Sequence, residues 1–441
     1  MKDSKIIKKT QNLFSLIAVN LALTFLCIEG LSLAFYFINH KTFFYTRDKS
    51  KEPIVTELER TGVRLDESII ERLHPFFGYV MKQGAFTKKE FGLKVNSQGF
   101  LSIYDYPFIK QKENQYIIGI FGGSVAHNFV NDEYVTKGFS EKLKKFPEFA
   151  NREIIVLSFA SGGYKQPQQL LILNYFLALG QKFDLIINID GFNEVALSNL
   201  NNKAQVELGM PSVQHIQPLT GLANNSLSSE VMSSIIKITE TKKQLGETIN
   251  KLDSCKLALC YTITSLHLKQ LVESYQKQVI GYDQKVKNSN MKDDKNNIVY
   301  IPKAKSVLDD AKAIEKMVAT WSESSLMMKQ LSAKRKIQYF HFIQPNQYYL
   351  TKRVFTEEEK RLYLNPNSPY SDAVKRGYPL LLSKAEDLRK LQLNIFSATN
   401  VLDDAKETVY QDACCHYNEI GDDLLGSYIS NSIIQELRKS K

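Results

Sequence analysis

The sequence predicts an α/β protein with a parallel sheet, an N-terminal transmembrane helix and a long helical insertion. Three observations carry this. Short apolar, β-branched runs end in glycine-rich turns and alternate with helical stretches, the pattern of a parallel sheet covered by helices. An apolar run near the N-terminus follows a cluster of lysines. A long stretch between the third and fourth strand candidates carries apolar residues at helical spacing.

Residues 1–11 form a basic tip with Lys2, Lys5, Lys8 and Lys9, and residues 12–39 are read as a signal anchor. Its apolar core, Leu13 to Ile38, exceeds the roughly 20 residues a helix needs to cross the hydrocarbon core. Lysines before the span favour a cytoplasmic N-terminus and place the rest of the chain on the far side. A cleaved signal peptide would have a shorter apolar core and a small-x-small site, and none is evident. Cys27 follows Thr24-Phe25-Leu26, without the small residues that precede a lipidated cysteine. Glu29 lies inside the run, where an ionised carboxylate is costly. A partner helix, protonation or reach to the interface would each accommodate it, and the sequence does not choose.

Residues 40–114 read as stalk and lead-in, charged and weakly patterned to about 70, then rich in aromatics and glycines from His74 to Asp105. The first part of the core, 115–200, holds three strand candidates: Tyr116–Phe121 before Gly122-Gly123-Ser124, Glu153–Phe159 before Gly162-Gly163, and Leu185–Asp190 before Gly191. Gln166–Leu179 reads as a helix between the second and third. Within the insertion, 201–335, apolar residues at 231, 235, 238, 245, 249, 252, 259, 263, 266 and 271 mark one face of a long helix or helix pair. A Lys/Asp/Asn-rich loop at Lys285–Asn297 separates it from a further helix over 306–333. This insertion is read either as a protein-binding arm or coiled coil, or as helices folded back on the main domain. The second part of the core, 336–441, supplies strands at Ile337–Ile343 and Leu393–Phe396.

The formal charge is +10, from 57 basic and 47 acidic side chains. The excess is spread over Lys-rich loops and the N-terminal tip, giving a solvated basic surface with at most mild attraction to anionic membrane or envelope polymers. No nucleic-acid-binding module is present. Of five cysteines, Cys255, Cys260, Cys414 and Cys415 lie beyond the anchor and allow three disulfide connectivities, or none. Neither a metal site nor a cofactor motif is expected.

Reactive groups in open parallel sheets gather at the carboxyl ends of the strands. Ser124, after a strand and two glycines and entering a helix, can expose its hydroxyl among helix-start amides, which suits a nucleophile. A serine needs a base, and His416 has Asp412 close by to orient its ring. Read together, these blocks resemble the SGNH hydrolases, the GDSL-like lipases and acylhydrolases. The nucleophile block resembles Phe121-Gly122-Gly123-Ser124, with Gly123 where many members have Asp. The glycine block, Ser158-Phe-Ala-Ser-Gly-Gly163, implies the Gly163 N–H as an oxyanion donor. Gly191-Phe192-Asn193-Glu194 implies the Asn193 amide as a further donor, beside the Ser124 N–H. Asp412-Ala-Cys-Cys-His416 resembles the last block but is one residue longer, so a backbone carbonyl, Asp403 or Asp404 also compete to orient the histidine.

The resemblance covers about 115–200 and 335–435 and implies a three-layer, flavodoxin-like SGNH fold of the membrane-anchored bacterial type. It implies Ser124, His416 and Asp412 as catalytic residues and Ser124, Gly163 and Asn193 as the oxyanion hole. A far-side domain on a tether meets acylated carbohydrate and lipid, so the expected activity is ester hydrolysis or acyl transfer on O-acyl, foremost O-acetyl, groups. A (lyso)phospholipid acylhydrolase and a non-catalytic scaffold are the competing readings. His127 and Gln344-Pro345-Asn346 are expected near the site, whereas Trp321, Met327 and Met328 fit a helix core.

Overall fold

The computed structural model describes residues 2–47, 71–85, 91–223, 229–288, 299–365 and 368–439. The predicted stalk from 48 to 70 and the loop residues 289–297 therefore lie outside the described residues. The chain divides into two compact units, residues 1–68 with 227–292 and residues 69–226 with 293–441.

The first unit holds α1 (Lys2–His40) and a 3₁₀ turn at Phe44–Thr46. The stretch Val19–His40, of mean hydropathy 2.0, is long and apolar enough to cross a membrane. Only 17% of its most apolar window is buried, so it is not packed as the core helix of a soluble domain is. The rest of this unit is a helical hairpin of residues 229–254 and 258–288, closed at its turn by a Cys255–Cys260 disulfide. Cys27, Cys414 and Cys415 form no disulfide. The predicted apolar spacing is divided between two antiparallel helices: Leu245, Leu252 and Leu271 of the predicted set are buried together with Leu268, whereas Ile263 and Leu266 are exposed and lie off that buried face.

The second unit opens with two short antiparallel pairs, β1 (Glu71–His74) with β2 (Gly78–Met81) and β3 (Lys94–Val95) with β4 (Leu101–Ser102). The main sheet follows: β5 (Gln115–Gly122), β6 (Glu153–Ala160), β7 (Leu185–Asp190), β8 (Gln338–Ile343) and β9 (Asn394–Ser397). All its pairings are parallel, in the spatial order β6-β5-β7-β8-β9. The mixed α/β class with a five-stranded parallel sheet agrees with the sequence prediction, and each strand lies within two residues of its expected bounds.

Both faces of this sheet are covered, which is why its strands read as unbroken apolar runs rather than as alternating ones. In β5, Ile118 and Ile120 face α2 (Ser124–Thr136), α3 (Gly138–Lys144) and the final helix, Glu419–Lys439. Ile117 and Phe121 face the other side, covered by α4 (Gln168–Ala178), α5 (Phe192–Lys203) and the later helices 310–333 and 371–390. In chain order, α6 is Val213–Ala223, α7 and α8 are the hairpin helices, α9 is Asp310–Ala333, α10 is Glu357–Leu362, α11 is Ser371–Lys390 and α12 is Glu419–Lys439.

The contact between α2 and α12 carries a pH signature. Asp422, in the first turn of α12, is buried, and its Oδ1 has no hydrogen-bond partner. Burial, then the neighbouring Asp132, pushes its carboxyl up to about 8. A carboxyl raised on folding favours the native state fully below its unfolded value, about 4, and that stability is lost as pH rises through the folded value. Asp422→Asn is therefore expected to be more stable than the parent at pH 9 and nearly equal to it at pH 4, read from denaturant midpoints.

Candidate functional site

Counted along the chain, the main sheet runs 2-1-3-4-5. The connection after β5 goes to one side and the connection after β6 returns to the other, so the crevice at the carboxyl ends of β5 and β7 is a topological switch point. Ligands of open α/β sheets bind at such points. Ser124 stands on one side of this crevice, as the first residue of α2, and Gly191–Asn193 on the other, at the start of α5.

The two sides touch. A Cβ added at Gly123 would lie 2.2 Å from Asn193 Nδ2 and 3.2 Å from the Tyr164 carbonyl oxygen. Only glycine admits the amide this close to the turn before Ser124. Asn193 Nδ2 donates to that carbonyl at 2.8 Å, so one of its two N–H bonds holds the glycine block of β6 in place. Gly163 has φ +73°, and a Cβ there would meet His215 Nε2 at 2.4 Å and the Tyr79 hydroxyl at 2.7 Å. The turn is sealed from below by Glu194, fully buried. Its Oε2 accepts the Gly191 N–H at 2.8 Å and its Oε1 the Gln166 N–H at 3.0 Å. Burial, then Asp190, raises its carboxyl to about 8, so the group that fits the expected Gly-x-Asn-acid block acts as a tie between two strand-end loops.

His416 reaches the same edge from the C-terminal segment. The loop after β8 fastens residues 412–417: Asn346 Nδ2 donates to Cys414 O at 3.1 Å, Gln347 Nε2 to Asp412 O at 2.9 Å, and the Tyr348 hydroxyl to Ala413 O at 2.6 Å. The Tyr417 hydroxyl donates back to Pro345 O. Further support comes from Arg353, whose guanidinium forms a buried ion pair with Glu359 and donates to the carbonyls of Leu402 and Ala405. Glu359 accepts the N–H groups of Val409 and Tyr410 in turn. Residues 345–348, overlapping the Gln344-Pro345-Asn346 turn expected near the site, thus carry the histidine loop.

Asp412 is the acid on the histidine. Its Oδ2 accepts from His416 Nδ1, and its Oδ1 accepts the N–H groups of Cys414 and Cys415 at 2.8 and 3.0 Å. Burial alone would raise this carboxyl, but the His416 charge and these hydrogen bonds outweigh it and hold it below the ordinary carboxylate range. Asp403 is engaged by Thr351 and Asn400 instead. With Nδ1 turned to Asp412, His416 Nε2 faces the Cys415 sulfur at 3.8 Å.

No hydrogen bond joins Ser124 to His416 among the described residues; their blocks share an edge. Strands β5 and β8 are separated by β7 alone, two spacings or about 10 Å. Burial, then Cys415, Tyr410, Glu194 and Asp190, pushes Tyr378 well above the phenol range.

Two histidines beyond the expected set emerge. His215, on α6, gives Nδ1 to Glu71 Oε1 at 2.6 Å and stacks on Tyr79 at 5.1 Å. Its Nε2 edge lies over Gly163, so a second imidazole–carboxylate pair borders the site. No sequence signal marks it, since its members are 144 residues apart. His341 lies in a row with Ser325 (2.7 Å to Nδ1) and Asp190 (2.7 Å to Nε2), and Trp321 Nε1 also donates to Asp190. This row has the residue types of a hydrolase triad, but Ser325 and His341 are 0% exposed, so no substrate reaches it and it serves the core. Trp321 and Met328 are buried on α9, whereas Met327 is exposed. His127 follows Ser124 by one turn of α2.

No group of three or more His, Cys, Asp or Glu suited to a metal ion occurs among the described residues. No protein-family model matches the sequence, and comparison with curated proteins finds no significant relative.

Proposed function

We propose that the chain is a membrane-anchored serine esterase or acyltransferase of the SGNH type, acting on O-acyl, foremost O-acetyl, esters of envelope or extracellular carbohydrate. The observation that carries this reading is the pairing of Asp412 with His416 on the same strand edge as a serine–glycine turn that touches an asparagine amide. The 2-1-3-4-5 strand order, the flavodoxin-like order of doubly wound sheets, supports it. The lysines at the start of α1, ahead of its apolar run, favour a catalytic unit on the non-cytoplasmic side.

In this reading His416 Nε2 takes the Ser124 proton as the hydroxyl attacks the ester carbonyl. Asp412 holds the ring and balances the imidazolium charge. The Ser124 and Gly163 N–H groups and the second Asn193 N–H receive the oxyanion. His416 then protonates the departing alcohol, and water or a glycan hydroxyl, deprotonated by the same nitrogen, releases the acyl group. The step requires Ser124 Oγ and His416 Nε2 to close to hydrogen-bond reach, a contact that often tightens only when substrate binds.

Asn193→Ala is expected to lower kcat on a short-chain acyl ester by about a hundredfold or more, the loss typical of one oxyanion donor. KM should change little. Because Nδ2 also holds the Tyr164 carbonyl, the thermal midpoint is measured alongside; an unfolded variant would be uninformative, and Asn193→Asp, which keeps the size, then replaces it. Acetate release from an O-acetylated glycan, with and without a second glycan as acceptor, separates hydrolysis from transfer. Turnover of every ester by the parent at the level of buffer alone would contradict the reading.

A further inference from the structure

We infer that the tip of the α7–α8 hairpin is a second membrane contact, seated at the headgroup–acyl boundary of the leaflet in which α1 ends. The inference rests on α1 being a membrane anchor and is independent of the ester chemistry.

Glu29 provides the depth marker. It lies within the apolar stretch Val19–His40 yet is 7% exposed. Its Oε1 accepts the Ala258 N–H at 2.7 Å and its Oε2 the Leu259 N–H at 2.8 Å, while the Tyr45 hydroxyl donates to Oε1 at 3.3 Å. Ala258 and Leu259 open α8, where helix amides have no partner of their own and favour a negative group. A polar group in hydrocarbon must find its partners within the protein. Glu29 finds them at the hairpin turn, so the turn sits at the depth of Glu29. Counted from Leu13, where the apolar run begins, Glu29 is 16 residues or about 24 Å along the helix, close to the far boundary of a hydrocarbon core about 30 Å thick.

The first turn of α8 then lies along the outer part of α1. Tyr261 packs on Tyr36, His40 and Phe44, with ring centroids at 5.0, 5.9 and 5.7 Å. Arg47 donates to Cys255 O at 3.1 Å, and the Cys255–Cys260 disulfide closes the turn.

The outward surface of this tip is apolar and uncovered. Leu257, Ile263 and Leu266 are 40%, 60% and 53% exposed, and the rings of Phe43 and Tyr45, just past α1, are exposed as well. From Leu257 to Leu268 the one ionisable residue outside the buried Tyr261 and disulfide-bonded Cys260 is His267. The next charged side chain is Lys269. Lys251 and Lys256 flank the turn, where long basic side chains reach lipid phosphates while their stems stay in apolar surroundings. An aromatic and apolar surface rimmed by lysines, beside a membrane-spanning stretch, fits a bilayer interface carrying anionic headgroups.

The test uses the full chain in phosphatidylcholine vesicles with a minor fraction of phosphatidylglycerol, with plain or dibrominated acyl chains. The parent has one tryptophan, buried Trp321, so its emission is subtracted from that of Leu21→Trp, Ile263→Trp and Lys277→Trp. Brominated lipid is expected to remove most of the added emission at 21 and 263 and none at 277. Adding Glu29→Ala to Ile263→Trp is expected to abolish the quenching at 263. Resistance of Cys255 and Cys260 to alkylation shows that each variant keeps the closed hairpin. Quenching at 21 with none at 263, as an apolar protein partner on the tip would give, overturns the inference alone. Quenching at 263 that persists with Glu29→Ala overturns the role of Glu29. Absence of quenching at 21 overturns the anchor on which the inference rests.

Discussion

Ser124→Ala is expected to lower ester turnover by at least about 10⁴-fold, because in the proposed mechanism the acyl-enzyme forms on its hydroxyl; losses of this order follow removal of a hydrolase nucleophile. The variant should fold like the parent. Ser124 is partly exposed at the start of α2, and the close packing of its turn is provided by Gly123 against Asn193 rather than by its own hydroxyl. Substrate binding should survive, so the loss belongs in kcat, measured with a short-chain acyl ester over a range of concentrations. The buried Ser325–His341–Asp190 row predicts the complementary result: Ser325→Ala costs stability, through an unpaired His341 Nδ1, and leaves kcat of the folded fraction near that of the parent.

The second large effect concerns the base. His416→Ala is expected to reduce kcat by about 10³-fold or more, and Asp412→Asn by a comparable factor, because the amide would hold the imidazole in the wrong tautomer and fail to balance its charge. Asp412 also caps the N–H groups of Cys414 and Cys415, which Asn can still accept through its carbonyl, so the loop should persist. His215→Asn is expected to change kcat by less than about tenfold and to act mainly on KM, since His215 borders Gly163 from the far side of the glycine turn. The reverse ranking, with His215 indispensable and His416 dispensable, would transfer the role of base to the His215–Glu71 pair. Pre-steady-state measurement of acyl-enzyme formation assigns the defect to the first proton transfer.

The five strands of the main sheet were legible because each is buried on both faces, so each leaves an unbroken apolar run that stops at glycine. The first hairpin helix was legible as periodicity, since Leu245, Ile249 and Leu252 recur at steps of four and three and pack in one cluster; in the second, Ile263 and Leu266 of the expected face are exposed. What escaped was set by distance along the chain or by local disguise. α11 contains Gly377 and Pro379, which read locally as a break, yet the helix runs through them, and a Cβ at Gly377 would strike Val195 of α5. The lead-in gave no sign that Tyr79 reaches the glycine block or that Glu71 reaches His215 beside it, because those contacts span more than eighty residues.

Within the site, residue types were legible and pairings only partly so. Three carboxylates competed for His416, and the four-residue spacing of Asp412 made it a doubtful partner; a turn folded around its own Oδ1 brings Oδ2 onto Nδ1. Glu29 had no visible partner because its amides lie 229 and 230 residues away. The choice of Cys255 with Cys260 follows from a hairpin turn that only the packing of α7 on α8 defines.

Treating the full chain with a fluorophosphonate and mapping the adduct by peptide mass spectrometry tests the central claim most directly. A single phosphonyl group on the peptide bearing residue 124, absent after prior incubation with an acyl ester and absent from His416→Ala, is the result this account requires. A chain that stays unlabelled while turning over ester, or that carries the adduct on another side chain, would show that its chemistry lies elsewhere than at the crevice between β5 and β7.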